Sequence, residues 1–130
     1  MSDVEHEIVE QHRLIEAVLR GDGEEQTFGR FAEALTADFT LCMPDGDLRV
    51  RGDIVSGLDR LAGSAPGIVV TIRSVQLVVA DSRTVVSTYE EHQVAPEVTT
   101  ARRSTAVFVR DDSARHGLRW RHLHETWLAA

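Results

Sequence analysis

A chain of 130 residues, 42% hydrophobic and 27% charged, carries enough apolar material for one globular domain and too little length for a second. Fourteen basic residues against twenty-one acidic ones give a formal charge of −7, the wrong sign for holding a phosphate backbone, so nucleic acid is not an expected partner. With every basic residue an Arg, no Asn and a single Cys42, the chain lacks a Schiff-base or phosphate-loop lysine, an N-glycosylation site and an intrachain disulfide, and a reducing, cytoplasmic setting is expected.

The opening MSDVEHEIVEQH is acidic and amphipathic rather than basic then apolar, and no apolar run approaches the roughly 20 residues of a membrane span, so no membrane partner is expected. Val4, Ile8, Val9, Ile15, Val18 and Leu19 recur at helical spacing, with Ser2 and Asp3 available as caps, and Gly21 and Gly23 stop this first helix. A second helical stripe, Phe28, Phe31, Ala32, Leu35 and Phe39, predicts a helix from Glu24 to near Ala37. From Phe39 to Met43 the chain is β-prone, Pro44-Asp45-Gly46 carries turn chemistry and Leu48-Arg49-Val50 returns, a small hairpin. Gly52-Asp53 offers a cap for a third, short helix through Ile54, Val55, Leu58 and Leu61, closed by Gly63 and Pro66.

The remainder reads as strands. The first runs from about Ile68 to Ala80, long and mixed enough to require a bend or bulge near Ser74 to Leu77. Three more cover about Thr84 to Val94, Thr99 to Arg110 and Leu118 to Ala129, joined by connections short enough for an antiparallel meander. Three N-terminal helices followed by a four-stranded sheet indicate α+β architecture.

The order of these elements, together with Asp38-Phe39, Pro44-Asp45-Gly46 before Arg51-Gly52, Tyr89-Glu-Glu-His-Gln93, Arg103-Ser-Thr-Ala-Val-Phe108 and Trp120-Arg-His-Leu-His-Glu-Thr-Trp127, resembles the nuclear transport factor 2-like, or SnoaL-like, superfamily over nearly the whole chain. The last segment is also similar to the final strand of the calcium/calmodulin-dependent kinase association domain, a module that assembles rather than catalyses. The resemblance implies a strongly bent, mainly antiparallel sheet wrapped around helices, a conical cavity open at one end, and frequent homodimerisation through the outer sheet face. It leaves function open: members include isomerases, dehydratases, polyketide cyclases, epoxide hydrolases and proteins with no assigned activity.

Strand parity puts Tyr89, Glu91 and Gln93 on one face and Glu90, His92 and Val94 on the other. If Glu91 pairs with Arg103, and Arg103 with Glu125, a Glu–Arg–Glu row crosses three strands, and a slip of one residue destroys it. An Arg between carboxylates holds one ionised while a drier setting raises the other, giving a base and an acid. The row is similar to the group by which epoxide hydrolases of this superfamily activate water, with two Glu in place of two Asp. Tyr89 and Trp127 fall on the same face and can supply a hydrogen bond and an aromatic wall for an apolar small molecule. The competing reading is a structural ion-pair ladder on a sheet surface or dimer interface.

On the opposite face, His92 lies two strands, roughly 10 Å, from His122 and His124, which argues against a metal; an acid–base or substrate-binding role suits His124 better. No cofactor is expected. Asp38 and Asp45 read as turn residues, although some isomerases of the superfamily carry a catalytic carboxylate near this strand, and Cys42 reads as an inert buried thiol. Trp120 and Val107, on strand faces expected to be exposed, add to the expectation of self-association. Two functions follow: an acid–base enzyme or binding protein with an apolar cone, or a non-catalytic association module.

Overall fold

The structure, a computed structural model, describes residues 2–129. Helix α1 spans Asp3–Arg20; the Ser2 hydroxyl accepts the Glu5 N–H at 3.2 Å and Gly21, at φ +78°, closes it, as the capping residues predict. Helix α2, Thr27–Glu33, is shorter than its apolar stripe suggests. The carbonyl of Ala34 accepts the Trp120 N–H at 2.8 Å, so the chain is drawn into the sheet and strand β1, Leu35–Cys42, begins where the helical pattern would continue. Gly46, at φ +91°, and an Asp45 carboxylate accepting the Asp47 N–H at 2.9 Å form the expected turn into β2, Leu48–Val50. Helix α3, Arg51–Arg60, starts ahead of the expected Asp53 cap, with Val50 at the cap position and no side-chain bond there.

Strands β3, Val69–Ala80, β4, Thr84–Val94, β5, Thr99–Arg110, and β6, Leu118–Trp127, form the antiparallel meander, with the expected irregularity in β3 between Arg73 and Gln76, where Ser74 takes φ +57°. The hairpin strands extend it beyond the four predicted, because β1 runs parallel to β6. The result is a six-stranded mixed sheet in the order β2-β1-β6-β5-β4-β3, with α+β architecture.

Along β4 every second residue from Val85 to Glu91 is buried, and on β5 Ser104, Ala106 and Phe108 continue that face. Ile8, Phe31, Phe39, Phe108 and Trp120 fill the space between this face and the helices, each buried large side chain contributing about 2 kcal/mol of transfer free energy. The opposite face, with Glu90, Arg103, Thr105, His122 and His124, is half-buried or exposed. Among the described residues no helix is long and apolar enough to cross a membrane.

Candidate functional site

On α1 the buried stripe is not purely apolar: Glu7, Gln11 and His12 sit among Val4, Ile8, Leu14 and Val18. His12 faces the inner side of the sheet. Its Nδ1 lies 2.7 Å from the Ile8 carbonyl, which only accepts, so Nδ1 carries a proton; Nε2 lies 3.2 Å from Glu91 Oε1. Glu91 Oε2 accepts from Gln93 Nε2 at 2.6 Å.

Burial opposes charge on both partners. For His12 the Glu91 carboxylate, its hydrogen bond and the Ile8 carbonyl together outweigh burial and leave the imidazole more basic than usual. For Glu91, burial is overcome by the charge and hydrogen bond of His12, then by Arg102 and Gln93, and its pKa falls to about 2. Each partner thus favours the charged form of the other.

The hairpin joining β4 to β5 decides which arginine completes the row. Ala95 N–H bonds the Val98 carbonyl at 3.0 Å, Val94 pairs with Thr99, and counting inward places Glu91 opposite Arg102. The predicted Glu91–Arg103–Glu125 alignment is therefore off by one residue on β5; an Arg103 partner would require one more residue in the turn. Arg103 points to the outer face, its side chain 57% exposed and 3.6 Å from Glu90. Arg102 points inward and bonds Glu125 Oε1 through Nη1 at 3.3 Å, from a diagonal position because Glu125 pairs with Ser104. Arg102 therefore bonds Glu125 and stands opposite Glu91 across the β4–β5 ladder, acting on Glu91 through its charge and not through a salt bridge.

Glu125 is as buried as Glu91 yet shifted the opposite way: burial raises its pKa, Arg102 pulls it down, and the Glu91 charge pushes it up again, for a net rise. Two carboxylates beside one guanidinium thus hold different proton affinities.

These groups form the polar end of a cavity of about 310 Å³ whose remaining wall includes Ile15, Phe31, Phe39, Leu41 and Leu123. The volume lies at the lower end of the range for small-molecule pockets. Tyr89, buried behind this wall, does not line it, and its hydroxyl is without a partner; burial raises its pKa well above the usual value. Trp127 is half exposed, with the Arg102 guanidinium carbon 4.8 Å from its ring centroid.

His124 lies exposed on the outer face with His122, their ring centroids 6.5 Å apart, away from the cavity. His122 Nδ1 is 2.7 Å from the Thr40 hydroxyl. Among the described residues no group of three or more His, Cys, Asp or Glu side chains is placed to hold a metal ion. Asp38, expected at a turn, lies within β1, exposed, 3.2 Å from Arg121.

Trp120 was expected on an exposed face and is instead buried. The β5–β6 register breaks between Val107 and Phe108, leaving Arg121 without a partner on β5, so Trp120 turns inward with Leu123 and Glu125. Its indole N–H donates to Glu7 Oε2 at 2.8 Å; Glu7, fully buried, also takes Arg115 through two bonds of 2.9 and 2.6 Å. Glu7 and Arg115 border a second cleft of about 510 Å³, lined also by Arg30, Glu33 and Arg119. Parity reasoning missed His12, Gln11 and Arg102; for the first two there is a readable signal, polar side chains at core spacing on α1, and for Arg102, on β5, there is none.

No family model matches the chain, and no curated protein matches its sequence. Among solved structures it is similar to a nuclear transport factor 2-like protein of unknown function from Pseudomonas aeruginosa, at 26% identity, covering 98% of this chain and 99% of that one with a TM-score of 0.92. It is also similar to the calcium/calmodulin-dependent kinase II hub homology domain of Chlamydomonas reinhardtii, at 17% identity over 97% and 99% of the two chains, TM-score 0.70. An uncharacterised protein with a cystatin-like fold from Caulobacter vibrioides matches at 18% identity over 78% and 76%, TM-score 0.62. The chain has the nuclear transport factor 2-like, cystatin-like fold.

Proposed function

We propose that the chain binds a small, mainly apolar molecule in its cone and carries out acid–base chemistry of the isomerase, dehydratase or hydrolase type on it. The carrying observation is that Glu91 and Glu125, both buried beside Arg102, have proton affinities displaced in opposite directions at the polar end of an apolar cavity. Glu125, the more basic carboxylate, is the group suited to exchange a proton with a ligand; Arg102 orients it and stabilises negative charge nearby. Glu91 is held by His12 and Gln93 and serves to fix His12 in place. Tyr89 and Trp127 support this wall from behind and from its edge, while Arg103 and His124 have no part in it.

The test is retention of small molecules by the purified protein, read by mass spectrometry of the denatured extract. Wild type and Arg103→Ala are expected to carry the same compounds, and Arg102→Ala and Glu125→Gln to lose them. Equal retention by all four proteins would refute the site.

A second reading, a self-associating module, is favoured by one observation. The outer sheet face is uncovered by any helix, with Val79 exposed and Val86 and Val107 half-buried at its centre, and hub domains are among the structures with this fold. A homodimer through this face is compatible with ligand binding, because Glu91, Arg102, Leu123 and Glu125, which line the cavity, lie on the other. Sedimentation showing only a 14.4 kDa species at micromolar concentration would exclude it.

A further inference from the structure

The polar end of the cavity has an unusual balance of charge and of unused hydrogen bonds. Two basic and two acidic side chains meet there, His12 and Arg102 with Glu91 and Glu125, and Arg49 and Asp53 add one of each elsewhere on the lining. Most of their bonding capacity is spent internally: both Glu91 oxygens accept, from His12 and Gln93, and the second His12 nitrogen donates to the Ile8 carbonyl.

What remains unspent is specific. A guanidinium has five N–H donors, and Arg102 uses one side-chain bond, to Glu125 Oε1. Its Nε is buried without a partner, its Nη2 makes no hydrogen bond to the protein, and Arg102 lines the cavity. Glu125 uses Oε1 and leaves Oε2 free. The wall therefore holds an unspent donor, on Arg102, next to an unspent acceptor, on Glu125.

An anionic ligand would compete with Glu125 for Arg102, and a cation would compete with Arg102 for Glu125. A head group with an acceptor and a donor on adjacent atoms and no net charge satisfies both. Resting on the reading of the cavity as a ligand site, we propose that its ligand is uncharged, with an apolar body and an amide-like head whose carbonyl oxygen accepts from Arg102 and whose N–H donates to Glu125 Oε2.

Three isosteric probes separate the possibilities: 2-naphthamide, 2-acetylnaphthalene and 2-naphthoate share one apolar body and differ only in the head. Titration calorimetry at pH 7 is expected to rank the amide above both others by roughly tenfold, since the ketone leaves Glu125 Oε2 unmatched and the carboxylate arrives charged. Glu125→Gln removes the carboxylate that competes for Arg102, so the order is expected to turn toward 2-naphthoate, while Arg103→Ala leaves it unchanged. If the wild-type protein prefers 2-naphthoate, or binds all three equally, the inference is overturned and the cavity remains a ligand site. If none of the three binds, both the inference and the ligand-site reading fail.

Discussion

Replacing Glu91 by Gln tests the electrostatic core of the site, because shape is kept and only the charge is lost. Glu91 is 4% exposed, and its pKa falls from 4.5 to about 2 on folding; at about 1.4 kcal/mol per unit this is about 3 kcal/mol of stability at neutral pH, in line with the 3–5 kcal/mol typical of breaking a buried ion pair. The sign follows from the direction of each shift. Glu91, depressed, contributes stability that is complete above pH 4.5 and is lost as pH falls toward 2. His12, raised, contributes stability that is complete below 6.5 and is lost as pH rises through its folded value. Glu125, also raised, contributes below 4.5 and loses that contribution as pH rises through its own folded value, partly opposing Glu91 in the acid range.

The assay is urea unfolding of wild type and Glu91→Gln from pH 2 to 9, with the carbon-13 titration of the imidazoles read alongside. The variant is expected to be about 3 kcal/mol less stable at pH 7 and to lack most of the wild-type loss of stability between pH 4.5 and 2. In the variant His12 should titrate lower than in wild type, since the Glu91 charge and hydrogen bond are gone and only the Ile8 carbonyl and Glu125 still oppose burial, and an unprotonated Nε2 can accept from the new amide. A variant within about 1 kcal/mol of wild type at pH 7, with an unchanged acid limb, would refute the ion pair.

Arg115→Ala should cost about 3–5 kcal/mol in urea unfolding, because Glu7 is fully buried and would keep only the Trp120 N–H and no counter-charge; a loss below about 1 kcal/mol would show that the carboxylate finds water or a proton instead. Gly21→Ala should lower thermal stability by about 1 kcal/mol or more, since φ is +78° and a Cβ there meets the Gly63 Cα at 3.0 Å. Arg103→Ala, exposed beside Glu90, should leave stability within about 0.5 kcal/mol by the same unfolding assay, whereas Arg102→Ala, which leaves Glu125 buried without its cation, should cost several times as much. Equal effects of the two would mean the register of β4 and β5 has been misread.

The fold was legible because its signals were local. Ser2 and Gly21 bound α1, the Pro44-Asp45-Gly46 turn reverses the chain, and the irregular alternation of β3 announced a bulge that Ser74 supplies. What failed were statements that depend on counting across a gap. The parity of β4 was right, so Glu91 faces the core, but which β5 residue meets it depends on the 95–98 turn, and one residue there exchanges Arg102 for Arg103. The Trp120 error has the same origin: a single extra residue at Arg121 reverses the facing of everything on β6 before it, while Leu123 and Glu125, beyond the break, kept their expected side. His12 was missed for a different reason. A charged partner for a strand residue was sought on neighbouring strands, whereas the cation that lowers the Glu91 pKa most comes from a helix about eighty positions away in sequence. A polar side chain on a buried helical stripe is costly unless something answers it; here Glu7 has Arg115 and Trp120, Gln11 has Arg115 and the Phe31 carbonyl, and His12 has Glu91. Two of these residues, Gln11 and His12, line the cavity and Glu7 borders the cleft beside it, so the polar positions of one helical stripe point to both hollows without any strand register, which a pairing inferred between strands does not.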